Sequence, residues 1–102
     1  MKVSNSFEIF AKETPSVHEA WMNAVQKLDK ASALDHKTEE LTYLSVLAAV
    51  RLESGLPFHV KMAKTHGATR NEIISNILVD LPAVGNTVIQ ALPIALKAFD
   101  EE

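Results

Sequence analysis

The stretch Leu34–Glu72, LDHKTEELTYLSVLAAVRLESGLPFHVKMAKTHGATRNE, decides the fold. It reads as a helix, a tight break, a second helix, a glycine stop and the start of a third. Asp35 is placed to cap the first helix, and Leu41, Leu44, Ser45, Leu47, Ala48 and Val50 follow. This segment is apolar round much of its circumference, so a central position is expected. Small side chains at Ser45, Ala48 and Ala49 would let another helix approach closely. The break falls between Arg51 and Pro57, with Ser54 available as a cap and Pro57 tolerated only in a first turn. The next helix runs to about His66, and Gly67 suits a left-handed exit. Thr69-Arg70-Asn71-Glu72 has the form of a capping box, in which hydroxyl and carboxylate each satisfy a backbone donor of the other residue.

Outward from this stretch the chain stays helical. Ser4-Asn5-Ser6 can cap a short helix ending near Glu13, and Thr14-Pro15-Ser16 restarts the chain. Val17, Ala20, Trp21, Ala24, Val25 and Leu28 recur at three-to-four spacing, which predicts an amphipathic helix to about Lys30. His18, at its start, is expected to be exposed. Ile73, Ile74, Ile77, Leu78 and Leu81 form another apolar face, interrupted at Pro82 and Gly85. A last helix is expected from Asn86, bent at Pro93, and the acidic tail Asp100-Glu101-Glu102 is expected to fray at a helix end whose dipole disfavours it. No internal repeat or second domain is apparent; the reading is one all-α domain.

With 102 residues and 47% hydrophobic content, the chain can bury only a modest core, for which oligomerisation is a common remedy. The net charge of −3 and the lack of a basic stripe argue against nucleic acid as a partner. No cysteine is present, which removes thiol, disulfide and cysteine–metal chemistry. MKVSNSFEIF lacks a signal-peptide core, and no run of about 18 apolar residues stands out. The expectation is therefore a cytoplasmic protein without a membrane span.

The residues LDHKTEEL, LPFHVKMAKTHGATRNEI and Gly85 resemble the carboxymuconolactone decarboxylase family, which includes alkylhydroperoxidase D-like proteins. Glu40, His59 nineteen residues on, Gly67-Ala68-Thr69 with Glu72-Ile73, and Gly85 match the family's offsets without a gap. The resemblance implies an alkylhydroperoxidase D-like bundle of about six helices round a central antiparallel hairpin. It also implies a site at Glu40 and His59, and dimers assembling into trimers of dimers. Peroxidase members carry a Cys-x-x-Cys pair where this chain has Leu52 and Gly55. A peroxidatic thiolate and its resolving partner are therefore missing. The Leu56-Pro57-Phe58-His59 run looks instead like the decarboxylase branch, whose members act on a lactone dicarboxylate.

Independently of the resemblance, Glu40 and His59 can meet only if the chain turns near Leu52. A turn centred there leaves a mismatch of five residues, about 7–8 Å, whereas one at Gly55 leaves about 16 Å. If they meet, His59 suits general acid–base work with Glu40 orienting it or sharing its proton. Tyr43 could donate a hydrogen bond to the same pocket, and Arg51 or Lys61 could receive a substrate carboxylate. His36 is expected on the surface and His66 as a cap of helix carbonyls. His59 and His66, two turns apart, do not have metal-ligand spacing, so neither a metal nor another cofactor is expected. Three functions follow: an acid–base decarboxylase or lyase on a small carboxylated molecule, a non-catalytic oligomeric or binding module, and an antioxidant role that the missing cysteines disfavour.

Overall fold

A computed structural model of the chain describes residues 2–101. Among them are seven α-helices: α1 Asn5–Glu13, α2 Pro15–Ala31, α3 His36–Ala49, α4 Leu56–Thr65, α5 Arg70–Leu78, the short α6 Leu81–Val84 and α7 Ala91–Asp100. Two 3-10 segments, Glu53–Gly55 and Gly85–Gln90, complete the order, and no strand occurs among the described residues. All four prolines stand in first turns. Pro15, Pro57 and Pro82 occupy the first or second helical position, and Pro93 is the third residue of α7. There a missing N–H removes no bond within the helix. The lost hydrogen bond on which the bend at Pro93 was expected therefore does not arise within α7. The chain breaks earlier, at the 3-10 segment, so the last α-helix starts at Ala91 rather than Asn86.

The core is formed by α3, α4, α5 and α7 with the 85–90 segment: Leu44, Leu47, Leu56, Val60, Ile73, Ile77 and Val88 are buried, with alanines on α3, α4 and α7. The run Arg70–Asp100 has the length and composition to cross a membrane, by those two measures only. It is broken by the 3-10 segment and by Gly85 at φ +79°, and it supplies Ile73, Ile77, Val88, Ala91, Ala95 and Ala98 to the core.

The predicted caps form. Asp35 accepts from the Thr38 N–H at 2.7 Å, and the Thr69–Glu72 box closes at 3.1 and 2.8 Å. Ser54 does not cap α4; Gly55 stands at that position without a side-chain bond. The acidic tail is tied down rather than frayed. Asp100 takes two bonds from Arg70, and Glu101 pairs with Lys61 at 3.1 Å. Glu102 lies outside the described residues.

Three of these carboxylates are held below their ordinary range: Asp100 by the Arg70 guanidinium, Asp35 by the Thr38 backbone N–H, and Glu72 by the Lys37 ammonium. A carboxyl depressed in the folded state contributes stability above its ordinary value, here 3.8 or 4.5, and loses it as pH falls through the folded value. Urea midpoints should be level from about pH 7 to 5 and decline below about 4.5. The double variant Glu72→Gln/Asp100→Asn should decline less steeply. An equally steep decline would assign acid sensitivity to other groups.

The N-terminal hairpin is built differently. Phe7, Phe10 and His18 meet edge-to-face with centroids 5.5–5.6 Å apart, fastening α1 to α2. His18 is thus half-buried, not exposed as expected. No residue of α1 or α2 is buried, and α2 packs chiefly on α1. Its stripe of Val17, Trp21, Val25 and Leu28 is exposed. So is one face of α3 at Tyr43 and Val46, continued by its C-cap Val50, which qualifies the central position expected for that helix.

Candidate functional site: a histidine–glutamate pair on the α3–α4 hairpin

The α3–α4 turn decides whether the pair can form. Helix α3 ends in a Schellman motif: the Leu52 N–H reaches the Leu47 carbonyl at 2.9 Å and the Arg51 N–H the Ala48 carbonyl at 3.4 Å. Arg51 occupies the left-handed position at φ +63°. The same motif closes α4 with Gly67, at φ +95°, where the Ala68 and Gly67 N–H groups bond Ala63 and Lys64. Sequence pattern located the second of these turns but not the first, because arginine carries no left-handed signal. A side chain at φ > 0 costs about 1–2 kcal/mol relative to its ordinary conformations. Arg51 is compensated by an exposed bond to Gln90 Oε1 at 2.8 Å and a long contact with Glu53 at 3.9 Å. Arg51→Gly should therefore stabilise the chain by about 0.5–1 kcal/mol, a rise of a few degrees in Tm. A fall in Tm would give the Gln90 bond the greater weight.

This turn folds the chain back on α3, so that Gly55 lies against the Leu47 side chain. From that level Glu40 is seven residues away along α3 and His59 four along α4. The remaining offset of about 4–5 Å is within reach of the two side chains. His59 Nδ1 stands 2.9 Å from Glu40 Oε2. The hairpin stays in antiparallel register to its far end, where the His36 and His66 rings stack at 5.0 Å. His66 therefore caps α4 through its backbone N–H and spends its ring on His36.

Tyr43 and Phe58 flank the imidazole. The Tyr43 ring lies 4.2 Å from that of His59, tilted by 36°, and Phe58 meets it edge-on at 5.1 Å. Tyr43 thus contributes a ring face, not the hydroxyl bond expected from the sequence. Glu40 and His59 side chains are 20% and 24% exposed. Among the described residues His59 Nε2 has no protein partner. With Nδ1–H directed at the carboxylate, Nε2 is the atom free to exchange a proton.

Arg51 and Lys61 are not brought to the pair. Arg51 extends from the turn to Gln90 and Glu53, and Lys61, two residues past His59 and hence across α4, pairs with Glu101. A depression of about 260 Å³ lined by Pro57, Ile94, Lys97, Ala98 and Glu101 lies on the α4–α7 side, away from His59. Ser45, read as a small packing residue, donates to the Asp80 carboxylate at 2.8 Å and ties α3 to the end of α5. Their separation of 35 positions left no local signal.

The carboxymuconolactone decarboxylase family model matches residues 15–97, most of the chain and the whole of this hairpin. The chain belongs to the carboxymuconolactone decarboxylase family. The all-α architecture agrees with that membership. No curated protein and no solved structure matches the chain. As a carboxymuconolactone decarboxylase family member it lacks the cysteine pair of the peroxidase branch: Leu52 and Gly55 sit at the turn where that pair would stand.

Proposed function

We propose that this family member is an acid–base lyase of the decarboxylase kind, acting on a small carboxylated organic molecule. The 2.9 Å Nδ1–Oε2 contact, which leaves His59 Nε2 unpartnered, carries the reading. In the step, the C–CO₂ bond of the substrate breaks and its electron pair passes into an adjacent carbonyl of the substrate. Protonated His59 then delivers the Nε2 proton to that carbon and ends neutral, with Nδ1–H still held by Glu40. Water returns the proton, so the balance is one carboxylate and one proton consumed for one CO₂ and one C–H formed. Tyr43 offers a flat wall to an unsaturated substrate. Thiol peroxidase activity is not part of this reading, since the chain has no cysteine. The cytoplasmic, membrane-free setting expected from the sequence is retained as part of the proposal.

The test is incubation with a panel of small lactone and open-chain dicarboxylates in D₂O. CO₂ should be released with one deuterium incorporated at carbon, and His59→Ala should slow both by about 10²–10⁴-fold. Release that persists at the wild-type rate in the variant removes His59 from the reaction. One observation favours a second, binding-only reading: the depression described above does not reach the pair. That reading gains if no dicarboxylate shifts the His59 ring signals by NMR at millimolar concentration.

A further inference from the structure

The depression between α4 and α7 belongs to a different face of α4 from the Glu40–His59 pair. Pro57 and Lys61 are one turn apart on α4, and His59, two residues from each, points about 200° round the helix. The half-buried and buried side chains of the depression, Pro57, Ile94 and Ala98, make an aliphatic floor. The exposed ones, Lys97 and Glu101, make a charged rim. Lys97 and Glu101 are four residues apart at the end of α7, a spacing at which opposite charges on a helix pair. They do not pair here. Glu101 Oε2 instead accepts from the Lys61 ammonium at 3.1 Å. Two features explain the choice: a cation four residues before an acid is the weaker order on a helix, and Glu101 has already left the helix in extended backbone. Among the described residues Lys97 has no ion-pair partner. The depression therefore sets an uncommitted ammonium group beside a carboxylate that is spent on another lysine.

We propose that this depression binds a short aliphatic monocarboxylate, its chain on Pro57, Ile94 and Ala98 and its carboxylate on Lys97 Nζ. The volume, about 260 Å³, is a little below the roughly 300 Å³ at which pockets for drug-sized ligands begin, so the occupant is a chain of a few carbons. The floor offers neither an aromatic ring nor a polar side chain, which suits a saturated apolar body. Glu101 limits the charge of the ligand. A second carboxylate on the same molecule would meet either Glu101 or the aliphatic floor, and would lose hydration without gaining a partner. The site thus selects against the dicarboxylates considered for the His59 reaction, and it is independent of that reaction. Lys61 is a positioning residue here: it touches no ligand but holds Glu101 away from Lys97. That ion pair is solvent-exposed and worth little by itself, so its effect is one of placement.

The test is titration of the full chain with hexanoate, followed through the methyl NMR signals of Ile94 and Ala98. These should move together and saturate in about the millimolar range, while the His59 ring signals stay still. Affinity should rise by up to about fourfold per methylene from butanoate to hexanoate, the worth of one buried CH₂. Hexanol and hexanedioate should each bind about threefold or more weakly than hexanoate. Lys97→Gln should weaken hexanoate by about three- to fivefold and leave hexanol unchanged, with helical circular dichroism kept because the side chain is exposed. Lys61→Met should weaken hexanoate by about twofold, since Glu101 is released to Lys97, and Lys61→Met/Glu101→Gln should recover the loss. Hexanol that binds as tightly as hexanoate, or Lys97→Gln without effect, overturns the proposal. So do shifts confined to the His59 ring, which would assign the carboxylate to the pair, and shifts at Ile94 and Ala98 that never saturate. If the double variant stays weak, Lys61 itself holds the ligand and the assignment to Lys97 falls.

Discussion

Leu44→Ala should destabilise the chain by about 3–4 kcal/mol and lower Tm by about 15 °C at fixed chain concentration. Leu44 is fully buried at the middle of α3, and α3 packs on both α4 and α5. Truncation there removes transfer free energy and leaves a cavity that three helices cannot close together. For a domain whose total stability is of the order of 5–15 kcal/mol, this is a large part of it. The neighbouring position makes the contrast: Val46, exposed on the same helix, should cost under about 0.5 kcal/mol as Val46→Ala in the isolated chain. Urea unfolding followed by circular dichroism measures both. A loss below about 1 kcal/mol for Leu44→Ala would move the centre of the core away from α3.

His59→Ala should reduce turnover of a dicarboxylate substrate by about 10²–10⁴-fold, the range over which a positioned proton donor contributes. Glu40→Gln should cost less, about 10- to 100-fold, because the amide still fills the space but no longer favours the Nδ1–H form against Nε2–H. The two losses should not add in the double variant, since Glu40 acts through His59. A structural pair gives another pattern: Glu40→Gln and His59→Ala lower the urea midpoint, and substrate turnover per folded chain stays unchanged. Single-turnover rates beside unfolding curves separate the two. Additive losses would place Glu40 in contact with substrate rather than behind His59.

The helix ends were legible because their signals are local. Asp35 with Thr38, Thr69 with Glu72, and Gly67 at a left-handed exit each act within four residues, and each is found where the pattern put it. The absence of cysteine excludes thiol peroxidase chemistry from the sequence alone. The spacing of Glu40 and His59 posed a geometric condition, a turn near Leu52, without meeting it. Tertiary structure met it through Arg51, whose left-handed backbone no sequence preference signals. Packing also decided that Lys61 faces Glu101 across α4 from His59, that Ser45 bonds Asp80, and that Tyr43 presents its ring. These depend on how α3, α4 and α7 are rotated against each other. That rotation follows from the buried contacts of Leu44, Leu56, Val60 and Ile77, residues far apart in the chain, and not from the side chains beside the site.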